Sequence, residues 1–295
     1  MSPSSTASSD PWEKDVSPTS QPYIKWNGHT HTPFCRHGSS APLTAYLDNA
    51  IAAGFQRYSV TEHPPLPPDW LTEPGVQAQY AMEDGHLDRY FDEMWAAKAA
   101  YADRLDIRVG LELDYLPGSE SFTEDIVRTY GHRIEDVVFS VHYLPGAGGI
   151  RCVDFSADDT RRGLIEYYGS MDAVVRTYYD HVRNAILYAA TLPSPKRLGH
   201  VNLIQKFRTE LPPIDEYLID HQLKTLLPLL KSCGVGIDVN TAGLRKSSCG
   251  IPYVPEWFIE TCMADGIECV FGSDAHHPED VAAGWSWYVA AVLRA

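Results

Sequence analysis

The chain has no C-x-x-C pair, no long apolar run and little positive charge, and each shortage removes a class of function. Its six cysteines (Cys35, Cys152, Cys233, Cys249, Cys262, Cys269) are scattered over 295 residues. A chain this long can bury a large core and needs no disulfide staples, so they are read as reduced thiols in cytoplasm. The apolar stretch near the C-terminus, VAAGWSWYVAAVL, falls short of the roughly 20 residues that span a bilayer. No membrane segment is expected. Lysine and arginine number 24 against 39 acidic residues, for a net charge of −15. That balance argues against the basic footprint of a nucleic-acid binder, and an anionic substrate would have to be met by metals or a few placed cations.

Two phosphatase signatures are also missing. There is no D-x-D for aspartyl-phosphate chemistry and no cysteine followed six residues later by arginine, so no covalent route through a protein nucleophile is expected. The N-terminal MSPSSTASSDPWEKDVSPTSQP is Ser/Pro-rich and lacks the basic start and apolar core of a signal peptide. Residues 1–20 are read as a disordered tail. Residues 21–295, without internal repeat, charge run or linker, are read as one domain.

What the sequence does contain is alternation. Seven short β-rich runs (YIKWNGH, RYSVTEH, IRVGLELDY, DVVFSVHY, RLGHVNL, VGIDVNT, ECVFGSD) are interleaved with helix-like segments such as MDAVVRTYYDHVRNAILYAA. Repeated β-then-α order predicts a parallel sheet with crossover helices: an α/β fold, best a TIM-like barrel of seven β/α units, with an open doubly wound sheet as the alternative. The chain ends soon after GSDAHHPED, which leaves little room for a long final helix.

Each apolar run ends in a metal-capable or polar residue: His29 and His31, His63, Glu112, His142, His200, Asn240, then Asp274 and His276. The C-terminal strand ends of such a barrel build its active site, so these residues would converge on one mouth. Side chains alternate along a strand, so the i and i+2 histidines of HTH share a face, and Asp274 with His276 repeats that spacing. Imidazoles mixed with carboxylates suit Zn, Mn or Fe better than Ca or Mg. The remaining histidines, 86, 132, 181, 221 and 277, are read as surface or structural, and Cys35 as a packed thiol.

The stretches HTHTPFCRH, TEHPP, GLELDYLPG, SVHYLPG, GHVNLIQKF, DVNTAGLRK and GSDAHHPEDV together resemble the PHP (polymerase and histidinol phosphatase) family, in its histidinol-phosphatase branch, from about Ile24 to Val281. The resemblance implies a distorted (β/α)7 barrel holding three divalent metals. Carried over by residue, His29, His31, Glu112 and Asp274 resemble the ligands of the first metal, with Glu112 bridging to a second. His142 and His200 match the second metal, and His37, His63 and His276 the third. One departure is Glu62, where family members often carry aspartate. The triplet Arg36-His37-Gly38 also spells the signature of histidine phosphatases, but there it follows an apolar strand directly, and here HTHTPFC intervenes.

The activity implied is hydrolysis of L-histidinol phosphate in histidine biosynthesis, by in-line attack of a metal-bridging hydroxide, with a metal-bound water protonating the leaving alkoxide. Glu112, Asp274 and Arg245 are the expected catalytic residues, and Arg245, Lys206, Arg176 and Asn240 the candidate substrate contacts. The alternative is a related phosphoesterase acting on another small phosphate ester or a nucleotide.

Overall fold

The computed structural model describes residues 24–73, 75–192 and 195–293, so the expected tail, residues 1–20, lies outside the described residues. The seven anticipated strands are present as β1 (Trp26–Asn27), β2 (Arg57–Glu62), β3 (Asp106–Asp114), β4 (Asp136–Ser140), β7 (Lys196–Leu198), β8 (Gly236–Asn240) and β9 (Cys269–Gly272). They pair in parallel in that order. Between β4 and β7 the chain inserts an antiparallel hairpin, β5 (Tyr143–Gly146) and β6 (Gly149–Cys152).

The last strand returns to the first. The Gly28 N–H donates to the Phe271 carbonyl at 2.8 Å, the Asp274 N–H donates to the His29 carbonyl at 2.9 Å, and Thr30 bridges Ala275. The sheet is therefore a nearly closed seven-stranded barrel, and the open doubly wound alternative is set aside. The final helix is short, Trp285–Val292, yet Trp285 packs edge-on against Phe55 and Phe271 and covers the seam.

Burial on both faces explains the strand composition. β4 (DVVFS) and β8 (GIDVN) are buried throughout, as parallel strands must be when helices cover the outside. The covering helices carry apolar residues at helical spacing. In Met171–Ala189 these are Val174, Val175, Tyr178, Tyr179, Val182, Ala185, Ile186 and Ala189, and the Ser170 side chain caps the start by accepting from the Ala173 N–H. Helix Glu216–Cys233 is capped by Asp215 in the same way.

Inside the barrel, under the mouth, the packing is polar. Arg197 on β7 donates from Nη1 and Nη2 to the two carboxylate oxygens of Asp136 on β4, both at 2.8 Å, and from Nη2 to the Gly28 carbonyl at 2.8 Å. Its guanidinium lies 4.7 Å from the Trp26 ring centroid. Ser59 donates to Asp136 at 2.6 Å and accepts from Trp26 Nε1 at 2.9 Å. These partners sit on strands that are not all sheet neighbours, so the contacts run through the barrel. Gly28 leaves the room: a Cβ there would lie 2.6 Å from Val270 and 3.0 Å from the guanidinium.

A second small core flanks the mouth. Leu66, Leu71, Val76, Ala81, Leu116, Tyr143 and Cys152 cluster where the loop after β2 meets the hairpin. Leu71 bridges Ile150, and Arg151 pairs with Glu73 at 2.6 Å and Asp159 at 2.8 Å.

Candidate metal centre

Glu112, near the tip of β3, is the hub of the mouth. Its Oε2 lies 3.1 Å from His29 Nε2, 3.3 Å from His31 Nε2 and 3.5 Å from His63 Nε2. Its Oε1 lies 2.9 Å from His200 Nε2 and 3.6 Å from His142 Nε2, and accepts from the Ser140 hydroxyl at 2.6 Å. One carboxylate thus faces two groups of imidazoles, one with each oxygen. The strand alternation read from HTH holds, because His29 and His31 approach the same oxygen.

Asp274 completes the first group: its Oδ1 is 3.3 Å from His31 Nε2 and 3.9 Å from His29 Nε2. It adopts a left-handed φ of 51° without being glycine, a strain that persists where surroundings demand it. Donor atoms of His29, His31 and Asp274 lie within 4.8 Å of one another, as do those of His63, Glu112 and His142, and those of His31, His63 and His276. His276 stacks on His31 at 4.0 Å between centroids, with His37 4.5 Å beyond. His37 joins a group through Cys35 and His276, and its Nδ1 donates to the Gln79 carbonyl at 2.9 Å.

Three carboxylates behind the imidazoles fix their orientation. His29 Nδ1 donates to Asp238 at 2.7 Å, His31 Nδ1 to Glu62 at 3.1 Å and His142 Nδ1 to Asp114 at 2.6 Å. Each partner holds the ring as the tautomer whose Nε2 faces the mouth. The Thr32 N–H and hydroxyl also donate to Glu62, at 2.9 and 2.6 Å. Glu62 thus anchors the backbone after the HTH segment as well as one ring.

The electrostatics call for cations. Glu62, Glu112, Asp114 and Asp238 are buried, and Asp274 is largely covered. Concentrating this much negative charge away from water is costly without compensation. Burial opposes charge on His29 and His31, yet the surrounding carboxylates hold both pKa values well above the usual histidine value. The same histidines, against the cost of burial, hold Glu112 and Asp274 well below the usual carboxylate range. Burial instead keeps His63 and His276 well below the histidine value, despite nearby carboxylates. His31 Nε2 and His276 Nε2 are buried with no hydrogen-bond partner among the described residues. Ring nitrogens aimed at carboxylate oxygens, with carboxylates behind the rings, form a donor set that fits divalent ions of the Zn, Mn or Fe type.

The other expected site residues fall into two groups. A cavity over the mouth is lined by His37, His63, Tyr80, His142, Asp154, His200, Lys206, Arg245, Tyr253, His276 and Asp280, among others. Arg245 is pinned there: Nη2 donates to the Ser273 and Asp274 carbonyls at 2.9 and 3.2 Å, and Nε lies 3.4 Å from Asp280. Its Nη1 has no partner among the described residues. Lys206 is paired with Asp154 at 2.8 Å. Asn240 is fully buried, and its amide donates to Asp238 and Asp274 at 3.0 and 3.2 Å. Arg176 stands exposed on its helix, outside the residues that line the cavity.

His277, read from sequence as surface or structural, is among the cavity-lining residues. Cys35 is buried 3.6 Å from His37 Nδ1, and burial pushes its thiol up to about 12, a protonated and unreactive state at neutral pH. Asp238, Asp114 and Asp154 were not singled out from sequence. Two of them carried a signal, since Asp114 lies two residues after Glu112 and Asp238 two before Asn240, the spacing that places side chains on one face.

The PHP domain family matches residues 27–242. A histidinol-phosphatase of Bacillus subtilis is 36% identical over 269 residues, 90% of this chain and 98% of that protein. A crystal structure from Listeria monocytogenes assigned to the histidinol phosphatase HisK superposes with a TM-score of 0.83 at 34% identity, covering 90% of this chain and all of the other. A histidinol phosphate phosphatase from Lactococcus lactis, crystallised with zinc, L-histidinol and phosphate, shares the fold at a TM-score of 0.64 and 17% identity, over 90% and 93% of the two chains.

Proposed function

Since this chain is a member of the PHP family in its histidinol-phosphatase branch, we propose, from that premise, that it hydrolyses L-histidinol phosphate to L-histidinol and phosphate with bound divalent metal ions. The observation that carries the reading is Glu112, whose two oxygens face two separate groups of imidazoles. A carboxylate so placed would be a ligand to two ions, which when bound would supply the activation of water against a phosphate ester. We further propose three ions, each Zn, Mn or Fe. His29, His31, Glu112 and Asp274 would hold the first, Glu112, His142 and His200 the second, and His37, His63 and His276 the third. Residues 21–295 would act as a single domain.

Divalent ions there supply Lewis acidity, which makes water a better nucleophile at neutral pH and offsets charge on the phosphoryl oxygens. The chain itself supplies position. Arg245 is held by two carbonyls and Asp280, so its Nη1 is directed without rotamer cost when phosphate charge develops. Lys206 adds a second positive charge on the cavity wall, steadied by Asp154. Asn240 acts behind the site by fixing Asp274. A small phosphate ester, rather than nucleic acid, suits a cavity whose positive charge is local while the whole chain carries −15.

Purified protein supplied with Mn or Zn is expected to release phosphate from L-histidinol phosphate and to lose that activity with a chelator. Equal turnover of nucleoside monophosphates and unrelated phosphomonoesters beside it would replace the narrow substrate reading by the broader one. His37 provides a finer test, because it stands at the edge of the group and touches neither oxygen of Glu112. His37→Ala is expected to lose one ion and keep two, with a rise in KM and a smaller fall in kcat. Metal analysis that finds three ions retained in that variant would separate His37 from the site.

A further inference from the structure

The carboxylates behind the imidazoles are not equivalent. Asp114 meets one ring, that of His142, whereas Glu62 meets the His31 ring at 3.1 Å and accepts from the His63 backbone N–H at 3.0 Å. Asp238 Oδ2 accepts three hydrogen bonds: from His29 Nδ1 at 2.7 Å, from Asn240 Nδ2 at 3.0 Å and from the His200 backbone N–H at 3.4 Å. The same Asn240 amide passes the connection to Asp274 Oδ2 at 3.2 Å. A single oxygen therefore reaches the supports of His29, His200 and Asp274. The position is also cleared for it: a Cβ on Gly272 would collide with Asp238 Oδ1 and lie 3.0 Å from His29 Cβ.

We propose that Asp238 is a positioning residue shared by two metal positions, locking the His29 ring and setting its spacing to the His200 and Asp274 segments. This rests on the ligand assignment proposed above, in which His29 and Asp274 serve one ion and His200 another. A carboxylate that orients one ligand tunes one ion's affinity. A carboxylate that ties ligands of two ions couples their occupancy, because displacing it shifts both sets of donors at once.

Zinc or manganese alone is the probe. The full-length apo-protein is dialysed against buffered free metal, and bound equivalents are counted by mass spectrometry for wild type, Asp238→Asn and Asp114→Asn. Asp238→Asn is expected to weaken two ions together by roughly 10–100-fold, whereas Asp114→Asn weakens one. The substitution is nearly isosteric, and circular dichroism of the apo form checks that it folds. An independent readout on wild type uses proton NMR: a strongly deshielded His29 Nδ1–H resonance is expected from its short bond to the carboxylate. Wild-type protein that binds no metal would sink the metal reading itself. Normal loading of wild type beside loss of one ion or none in Asp238→Asn, or absence of the deshielded resonance, would overturn the role of Asp238 alone.

Discussion

His29→Ala is expected to reduce kcat by several orders of magnitude and to leave the protein short of metal. The ring is buried between Glu112 and Asp238, with Asp274 near, and alanine leaves no nitrogen donor in its place. Under the proposed ligand set its removal would take a donor from the group that faces Glu112 Oε2, and with it the activation of water for attack on phosphorus. KM is not the sensitive quantity here, since the loss is felt where charge develops in the transition state. Steady-state kinetics with metal analysis provides the check, and a variant with full metal content and near-normal kcat would remove His29 from the ligand set.

The second large effect is on stability. Arg197 and Asp136 are each almost completely buried and are bound to each other through two hydrogen bonds. Removing one partner strands the other charge inside the barrel, and Arg197→Ala is expected to cost about 3–5 kcal/mol of folding stability. Asp136→Ala should be comparable, since it also strips the acceptor from Ser59. The two losses should not add in the double variant, because the charge left behind by either single change is then absent. Urea unfolding of the three variants measures this, and additive losses would show that the pair does not act as a unit.

These two experiments probe parts of the molecule that differed in how plainly they were written in the sequence. The seven strands were legible because each is a short apolar run bounded by turn residues, and the site was legible because strand tips end in His, Glu or Asp. Order in a parallel barrel then brings those tips together without further information. The polar plug was not legible. Asp136 begins its strand and Arg197 is the second residue of its own, and nothing local says that a charge there points inward rather than to water. The hairpin of Tyr143–Gly146 and Gly149–Cys152 was hidden for another reason. Its first strand follows His142 directly and reads as a continuation of the strand before it. Asn240 and Arg176 mark the limit for substrate contacts: a polar strand tip and a helical arginine look the same in sequence whether they face the cavity, the interior or solvent.

The seam of the barrel has a consequence for how the protein comes together. His29 and His31 stand at one end of the described chain, Asp274 and His276 at the other, and the backbone between the two edges is joined through few bonds next to a two-residue β1. Loop-closure entropy is greatest for contacts this distant in sequence. Cations bound by ligands from both edges would act as a fastener across that closure, adding their binding free energy to a junction that main-chain pairing alone holds lightly. In hydrogen exchange, the amides of Gly28, His31 and Asp274 should accordingly gain more protection on metal loading than amides in the middle of the sheet, such as those of β3 and β4.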